Sequence, residues 1–487
     1  MLQVKEDVIQ KYTAVIGLEV HAQLMTRTKI FSSDSNSFGE NPNTNISVVT
    51  LGHPGTLPVL NKKVIELAVK MGLACKSDIS RVNIFDRKNY FYPDLPKGYQ
   101  ITQDKTPICK GGFVKITRKD GSEQQVRLTK IHLEEDAGKS IHLAEEKDTM
   151  VDLNRAGVPL IEIVTEPELK SGEDAALLLN EIRKIVRYLD ICDGNMEEGS
   201  LRCDANISVM PAGSTVLGQK VEVKNMNSMR NVQKAVEYEI KRQINILEKG
   251  GGVLSETRTF DTIKGTTSGM RTKETLTDYR YFPEPDLSPV IISETWLARI
   301  QEGMPSLPSE LYQKFVNEYN VPENNAAVLI DNRDEAYYFE ALGKACGNYR
   351  AASNWMVGAI KSYLNEKNIK IGEFPLTPVQ LGGLLKMIDH GKVSHTIAVQ
   401  QILPEMLQKP DQTAEYFARS LNLSTQNDED ALKVLIREVL NSFPEKVNQY
   451  RKGKKGLIGM FMGEVMKKSK GKADPKLTNK LLRDTLG

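Results

Sequence analysis

The stretch Val151-Asp-Leu-Asn-Arg-Ala-Gly-Val-Pro-Leu-Ile-Glu-Ile-Val-Thr-Glu-Pro167 decides how the N-terminal part of this chain folds. Gly157 and Pro159 punctuate it, and the apolar run after them reads as a strand. Glu162 sits inside that run, flanked by Leu160, Ile161, Ile163 and Val164. A carboxylate is costly to bury among aliphatic side chains unless a metal or another cation meets it. The run therefore predicts a sheet that gathers acids at a site, and its neighbours can be searched for further acids of the same kind.

Two more occur upstream. In Tyr12 to Leu24, one face of a strand is Ala14, Ile16, Leu18, Val20, Ala22 and Leu24. The other carries Glu19 and His21 side by side, because strand side chains alternate with period two. A carboxylate beside an imidazole can hold a divalent metal or move a proton; a solvated outer face would look the same. In Lys130-Ile-His-Leu-Glu-Glu-Asp136, Glu135 shares its side with Ile131 and Leu133, while His132, Glu134 and Asp136 share the other. A metal would explain an acid on the apolar side; so would a strand that has ended by Glu134. Further strands carry polar faces: Arg202, Asp204, Asn206 and Ser208 oppose Leu201, Cys203, Ala205, Ile207 and Val209. Glu222 and Lys224 oppose Val221 and Val223, and Asn225 and Asn227 lead into a helix start, a natural anion site. Each could be an ordinary exposed antiparallel face. Several in one domain point to a shared cleft.

The loop from Phe85 to Gln100 interleaves Arg87, Lys88 and Lys97 with Tyr90, Phe91, Tyr92 and Tyr99. That mixture suits phosphate contact with base or ribose stacking, and equally a loop of packed tyrosines. Ala137-Gly-Lys-Ser140 mimics the end of a phosphate-binding loop, but such a loop needs glycine at position 133, which is Leu. No cysteine sits in the setting of a glutaminase nucleophile.

Beyond these segments, the 487 residues suffice for several cores. Residues 12 to about 295 mix strands with two clear helices. Ser171 caps the first, and Asn227 or Ser228 the second, whose apolar face is Val232, Val236, Ile240, Ile244 and Leu247. From Ser309 the pattern is helical throughout. The domains expected are 1–295, 296–409 and 410–487. The overall charge is +2, yet Arg451 to Gly487 holds eleven Lys or Arg and three Asp or Glu, a net +8, which leaves −6 for the rest. A basic tail on a mildly acidic body fits a polyanion contact, and a solvated helical tail equally. Five scattered cysteines, an odd number without a Cys-x-x-Cys, argue for a reducing compartment and against a disulfide framework. No apolar run is long enough for a membrane span, and the first residues lack a signal-peptide layout. The expected location is cytoplasmic.

Taken in order, the segments resemble the B subunits of the aspartyl/glutamyl-tRNA amidotransferases. The resemblance is carried by Ile16-Gly-Leu-Glu-Val-His21, Gly55 to Asn61, Phe85 to Gln103, Glu134-Glu-Asp-Ala-Gly138 and Val151 to Pro167. It continues through Leu201 to Ser208, Lys224 to Ser228 and Asp278-Tyr-Arg-Tyr-Phe-Pro-Glu-Pro-Asp286. It covers nearly the whole chain and implies an α+β protein. A cradle-like mixed β-sheet catalytic domain would be followed by an all-α domain and a small α-helical tail. The implied activity is that of a carbon–nitrogen ligase with glutamine as amido donor. ATP phosphorylates the side-chain carboxylate of Glu or Asp misacylated on tRNA, and ammonia displaces the phosphate. The resemblance also implies two partners in a heterotrimer: an amidase, the A subunit, which delivers the ammonia through a tunnel, and a small C subunit. The family's Mg²⁺ site maps onto Glu19, His21, Glu135 and Glu162. Arg87, Lys88, Tyr90, Tyr92 and Lys97 would lie in or beside the nucleotide cleft. Arg155, Arg202, Asp204, Asn206 and Lys224 are further candidates for phosphate, metal or substrate contact. Lys452, Lys454, Lys455, Lys467, Lys468, Lys470 and Lys472 of the basic tail are candidates for tRNA contact. Many relatives carry a Cys-x-x-Cys where Ser47 and Thr50 stand here, so no zinc is expected. The other reading is a non-catalytic protein that binds tRNA and assembles the complex.

Overall fold

The fold is described from a computed structural model, which places residues 4–142, 148–272, 279–421, 423, 429–469, 473 and 475–487. It is α+β: a sheet domain precedes a region of helices. The chain divides into two compact units, Met1–Leu307 and Pro308–Gly487.

Five strands form the centre of a ten-stranded sheet: β1 (Tyr12–Gln23), β2 (Glu123–Glu135), β3 (Pro159–Thr165), β4 (Leu201–Pro211) and β5 (Val221–Lys224). Their spatial order is β5-β4-β1-β3-β2, and each of these pairings is antiparallel. The register sets His21 opposite both Glu162 and Arg202, and Glu162 opposite His132. Residues paired across a ladder project to the same side. One sheet face therefore carries the row Arg202–His21–Glu162–His132. The other carries Leu18, Val20, Ala22, Ile131, Leu133, Ile161, Ile163, Cys203 and Ala205, all within 1% of complete burial.

Helices α1 (Lys62–Ala74), α2 (Gly172–Tyr188) and α3 (Met229–Glu248) supply the rest of that core, through residues such as Val64, Ile65, Leu178, Ile182, Val232 and Val236. Full burial of each such side chain contributes about 1.5–3 kcal/mol before chain entropy is set against it. The helices start where the sequence places their caps. Ser171 Oγ accepts from Asp174 N at 3.0 Å, and Ser228 Oγ from Asn231 N at 3.2 Å.

The expected division at 295/296 differs from the observed one. A helix over Glu294–Glu302 belongs to the first unit, because Trp296, Leu297 and Ile300 pack into the sheet domain's core and Lys62 lies 4.9 Å over the Trp296 ring. In the second unit, the region 432–486 has its own core, built around Leu432, Ile436, Val439, Phe461, Val465 and Leu482. Leu457, Ile458, Met460, Phe461, Val465 and Met466, which lie between the two lysine clusters of the basic tail, all join that core or pack on it. Lys452, Lys454, Lys455, Lys467 and Lys468 are exposed, whereas Lys470 and Lys472 lie outside the described residues. No helix among the described residues is long and apolar enough to cross a membrane.

Candidate functional site

The polar face of the central sheet holds two separate groups of acids. In the first, His21 Nε2 lies 3.7 Å from Glu134 Oε1 and 3.5 Å from Glu162 Oε2. His132 Nε2 lies 3.7 Å from Glu134 and 3.3 Å from Glu162. One ligand atom each from His21, Glu134 and Glu162 falls within 4.8 Å of the others. This is a donor set that a divalent cation accepts. Burial works against charging the two imidazoles, but the flanking carboxylates outweigh it. His21 is raised, and His132 is raised to about 9. Burial would lift Glu162, yet its bonds to His132 and His21 hold it well below the usual carboxylate range. His132 Nδ1 is buried and finds no hydrogen-bond partner among the described residues.

The second group is Glu19, Asp204 and Glu222, whose ligand atoms also lie within 4.8 Å of one another. Here the cation is the protein's own. Lys224 Nζ bonds Asp204 and lies 2.9 Å from Glu222. Asn206 Nδ2 donates to Glu19 at 2.7 Å, and Thr257 Oγ1 to Glu222 at 2.9 Å. The Lys224 ammonium is raised: burial lowers it, and Asp204 and Glu222 more than offset that.

The four-residue metal set Glu19, His21, Glu135 and Glu162 is therefore not assembled. His21 and Glu162 meet, Glu19 joins the lysine-neutralised group, and Glu135 faces the other way. Strand alternation is the reason: Glu134 and Glu135 are consecutive, so Glu134 projects with His132 to the polar side. Glu135 Oε1 instead accepts from Lys97 Nζ and from Ile101 N at 2.8 Å. The residue missed was Glu134, with His132 beside it. The signal was the period of two in Lys130 to Asp136, which already puts both on one face.

The remaining candidates frame this face. Asp136 accepts from Gln23 Nε2 at 2.9 Å and Arg202 Nη2 at 2.8 Å, with Arg155 Nε at 3.8 Å. Burial alone would raise its carboxyl, but Arg202 and Arg155 hold it low. Arg155 Nε also donates to Ala137 O at 2.9 Å. Arg87 is clamped by Glu284 at 2.6 and 2.8 Å and by Asp286 at 3.1 Å, and lies over the Tyr99 ring. Lys88 Nζ sits 4.9 Å over the Tyr279 ring and 5.8 Å over that of Tyr90. The Tyr90 hydroxyl is pushed up by burial and by the charges of acids headed by Glu134. Phe91 and Tyr92 are exposed.

Ser47 and Thr50 serve one carboxylate. Asp34 Oδ2 accepts from Ser32 Oγ at 3.0 Å, Ser47 N at 3.0 Å, Ser47 Oγ at 2.9 Å and Thr50 Oγ1. Burial would lift the Asp34 carboxyl, but the three hydroxyls hold it low. All five cysteines are buried free thiols.

Residues 14–298 match the family model described as the GatB/GatE catalytic domain, and residues 337–486 match the GatB domain. The chain is 48% identical to the B subunit of the aspartyl/glutamyl-tRNA(Asn/Gln) amidotransferase of Thermodesulfovibrio yellowstonii, over 97% of this chain and 98% of that protein. It is 48% identical to the corresponding B subunit of Chlorobaculum tepidum, over 98% of this chain and 99% of that protein.

Proposed function

The chain belongs to the family of aspartyl/glutamyl-tRNA(Asn/Gln) amidotransferase B subunits, and we propose that it amidates Glu-tRNA(Gln), Asp-tRNA(Asn) or both at the polar face of its sheet. The observation that carries this reading is the His21–Glu134–Glu162 group, whose carboxylates pair with imidazoles and, among the described residues, with no lysine or arginine. The donor set fits Mg²⁺, which favours carboxylate oxygens; His21, Glu134 and Glu162 would hold it. When bound, it would neutralise the charge that builds on a transferring phosphoryl group.

The substrate carboxylate attacks the γ-phosphorus of ATP, and the bond to the β-phosphate oxygen breaks to release ADP. Ammonia then attacks the acyl carbon, phosphate leaves and an amide remains. The protein's part in both steps is positioning and electrostatics. Arg202 and Arg155 present cations at the rim of the acid group, held by Asp136. To Tyr90, Lys88 and Tyr92 we assign contact with the nucleotide, for which rings and an ammonium are suited. Arg87 and Lys97 are each already paired with a carboxylate.

Ammonia comes from an amidase partner, the A subunit, with a small C subunit completing a heterotrimer; the five buried thiols of this chain are in keeping with that division of labour. The exposed lysines of the tail, Lys452, Lys454, Lys455, Lys467 and Lys468, contact tRNA phosphates, which orient the substrate without reading sequence. The setting proposed is the cytoplasm.

The test is the isolated chain with ATP, Mg²⁺, Glu-tRNA(Gln) and ammonium chloride. Amide on the tRNA without the amidase partner supports catalysis by this chain. Absence of amide, with tRNA binding retained, would leave it a role in assembly alone.

A further inference from the structure

A cavity of about 200 Å³ lies on the side of the sheet to which Glu135 turns. Its lining includes Lys29, Phe31, Arg87, Lys97, Glu135 and Gly157. Two of its three cations are committed: Lys97 pairs with Glu135, and Arg87 with Glu284 and Asp286. The third is not. Lys29 is completely buried, and its Nζ has no hydrogen-bond partner among the described residues. An ammonium offers three donors, and leaving them unmet away from water is among the more costly arrangements a fold can keep.

The lysine is nonetheless built in. The residue facing its stem is Gly157, at φ +81°, where a Cβ would come to 3.4 Å from Lys29 Cδ. Gly157 O accepts from Ile30 N at 3.0 Å, which ties the glycine to the chain next to Lys29. Glu135 and Asp286 of the lining and Glu284 beside Arg87 answer the charges of Lys97 and Arg87, and none of them hydrogen-bonds Lys29 Nζ.

We propose that this cavity is an oxyanion subsite in which Lys29 Nζ binds the oxygen of a phosphate or a carboxylate. Either group supplies the acceptors that the ammonium lacks. The cavity can admit one such group. Burial draws the Lys29 ammonium down to about 8 in the anion's absence, as expected of a cation waiting for a partner. This role differs from that of the acid group on the polar face, which calls for a cation. The choice of probes rests on the proposed function, since an ATP-driven carboxylate amidation presents both phosphate and carboxylate groups.

The experiment is calorimetric titration of the full chain, without divalent cation, using sodium phosphate in one arm and N-acetylglutamate in the other. The wild type is expected to bind one equivalent of one probe, which names the source of the oxyanion. Lys29→Met should weaken that binding at least tenfold, and Lys29→Arg should recover part of it. Lys29→Gln serves if the methionine variant does not fold. A melting curve adds a second reading: phosphate or N-acetylglutamate should raise the melting temperature of the wild type but not of Lys29→Met. The idea is overturned if neither probe binds the wild type, which would leave water alone at Lys29. It is also overturned if Lys29→Met binds as tightly. His21→Ala separates this site from the proposed reaction: it should lose divalent-dependent amidation while keeping the wild-type affinity for the probe.

Discussion

The two acid groups on one sheet face lie on neighbouring strands and are built from the same side-chain types, yet they are balanced differently. Asp204 and Glu222 pair with the protein's own Lys224, and Glu19 beside them accepts from Asn206. Glu134 and Glu162 meet imidazoles, which carry a positive charge only while protonated. A site open to an external cation is therefore marked by what balances its carboxylates, since the number of carboxylates is similar in both groups.

The sharpest way to break this contrast is to remove a ligand from the open group. Glu162→Gln or His21→Ala should abolish divalent-dependent amidation. Cation affinity should fall by at least the ~10–100-fold that loss of a mere outer partner costs a metal site. Calorimetric titration with Mg²⁺ or Mn²⁺ reads this, and an unchanged affinity would dissolve the distinction. Next in size is the comparison of consecutive residues. Glu134→Gln should weaken the cation about as much, whereas Glu135→Gln should leave its affinity near the wild type. Equal effects would mean that alternation along β2 does not separate them.

Lys224→Met turns the closed group into an open one. Three acids would then face each other without a cation. Stability should drop by up to ~3 kcal/mol, tempered by the partial exposure of Lys224, and added divalent cation should restore part of it. Urea denaturation with and without the cation checks both statements. The imidazoles add a pH signature. His21 is raised and His132 is protonated up to about pH 9 in the absence of a cation, so an entering cation competes with the proton on His21 and is repelled by the one on His132. Apparent affinity should rise with pH until about 9 and then flatten, by as much as ~tenfold per unit where one proton is released. Titration in buffers of different ionisation enthalpy measures that release. The smallest effect belongs to the tail. Alanine at Lys452, Lys454 and Lys467 should weaken tRNA uniformly and flatten its salt slope by about one unit per lost phosphate contact. Full affinity with an unchanged slope would make these lysines simple solvated charges.

Much of this was legible in the sequence where a short-range rule governs. Ser171 and Ser228 cap their helices through their own hydroxyls. Glu162 stood out because an acid inside an aliphatic run is costly to bury without a partner. Glu135 also stood out, and it does have a partner, but that partner is Lys97, 38 residues upstream. An acid on the apolar side can be met by a distant lysine as well as by a metal, and nothing near Glu135 in sequence separates the two. Lys29 gave no sign at all. In Thr26-Arg-Thr-Lys-Ile-Phe31 it reads as a surface lysine, and its burial, with Gly157 against its stem, comes from the tertiary fold. That the helix over Glu294–Glu302 packs Trp296 and Ile300 on residues far upstream is tertiary information, which no local pattern carries.

Asp34 gathers its segment through four separate donors. A joint made this way wears differently from one built on a metal. Where four ligands share an ion, losing one tends to lose the ion, and the whole joint fails together. Where one carboxylate accepts four bonds, loss of Ser32, Ser47 or Thr50 removes a hydroxyl and leaves the others in place. Descendants of this chain can therefore exchange those three positions one at a time, with small and roughly additive losses, while Asp34 alone stays indispensable.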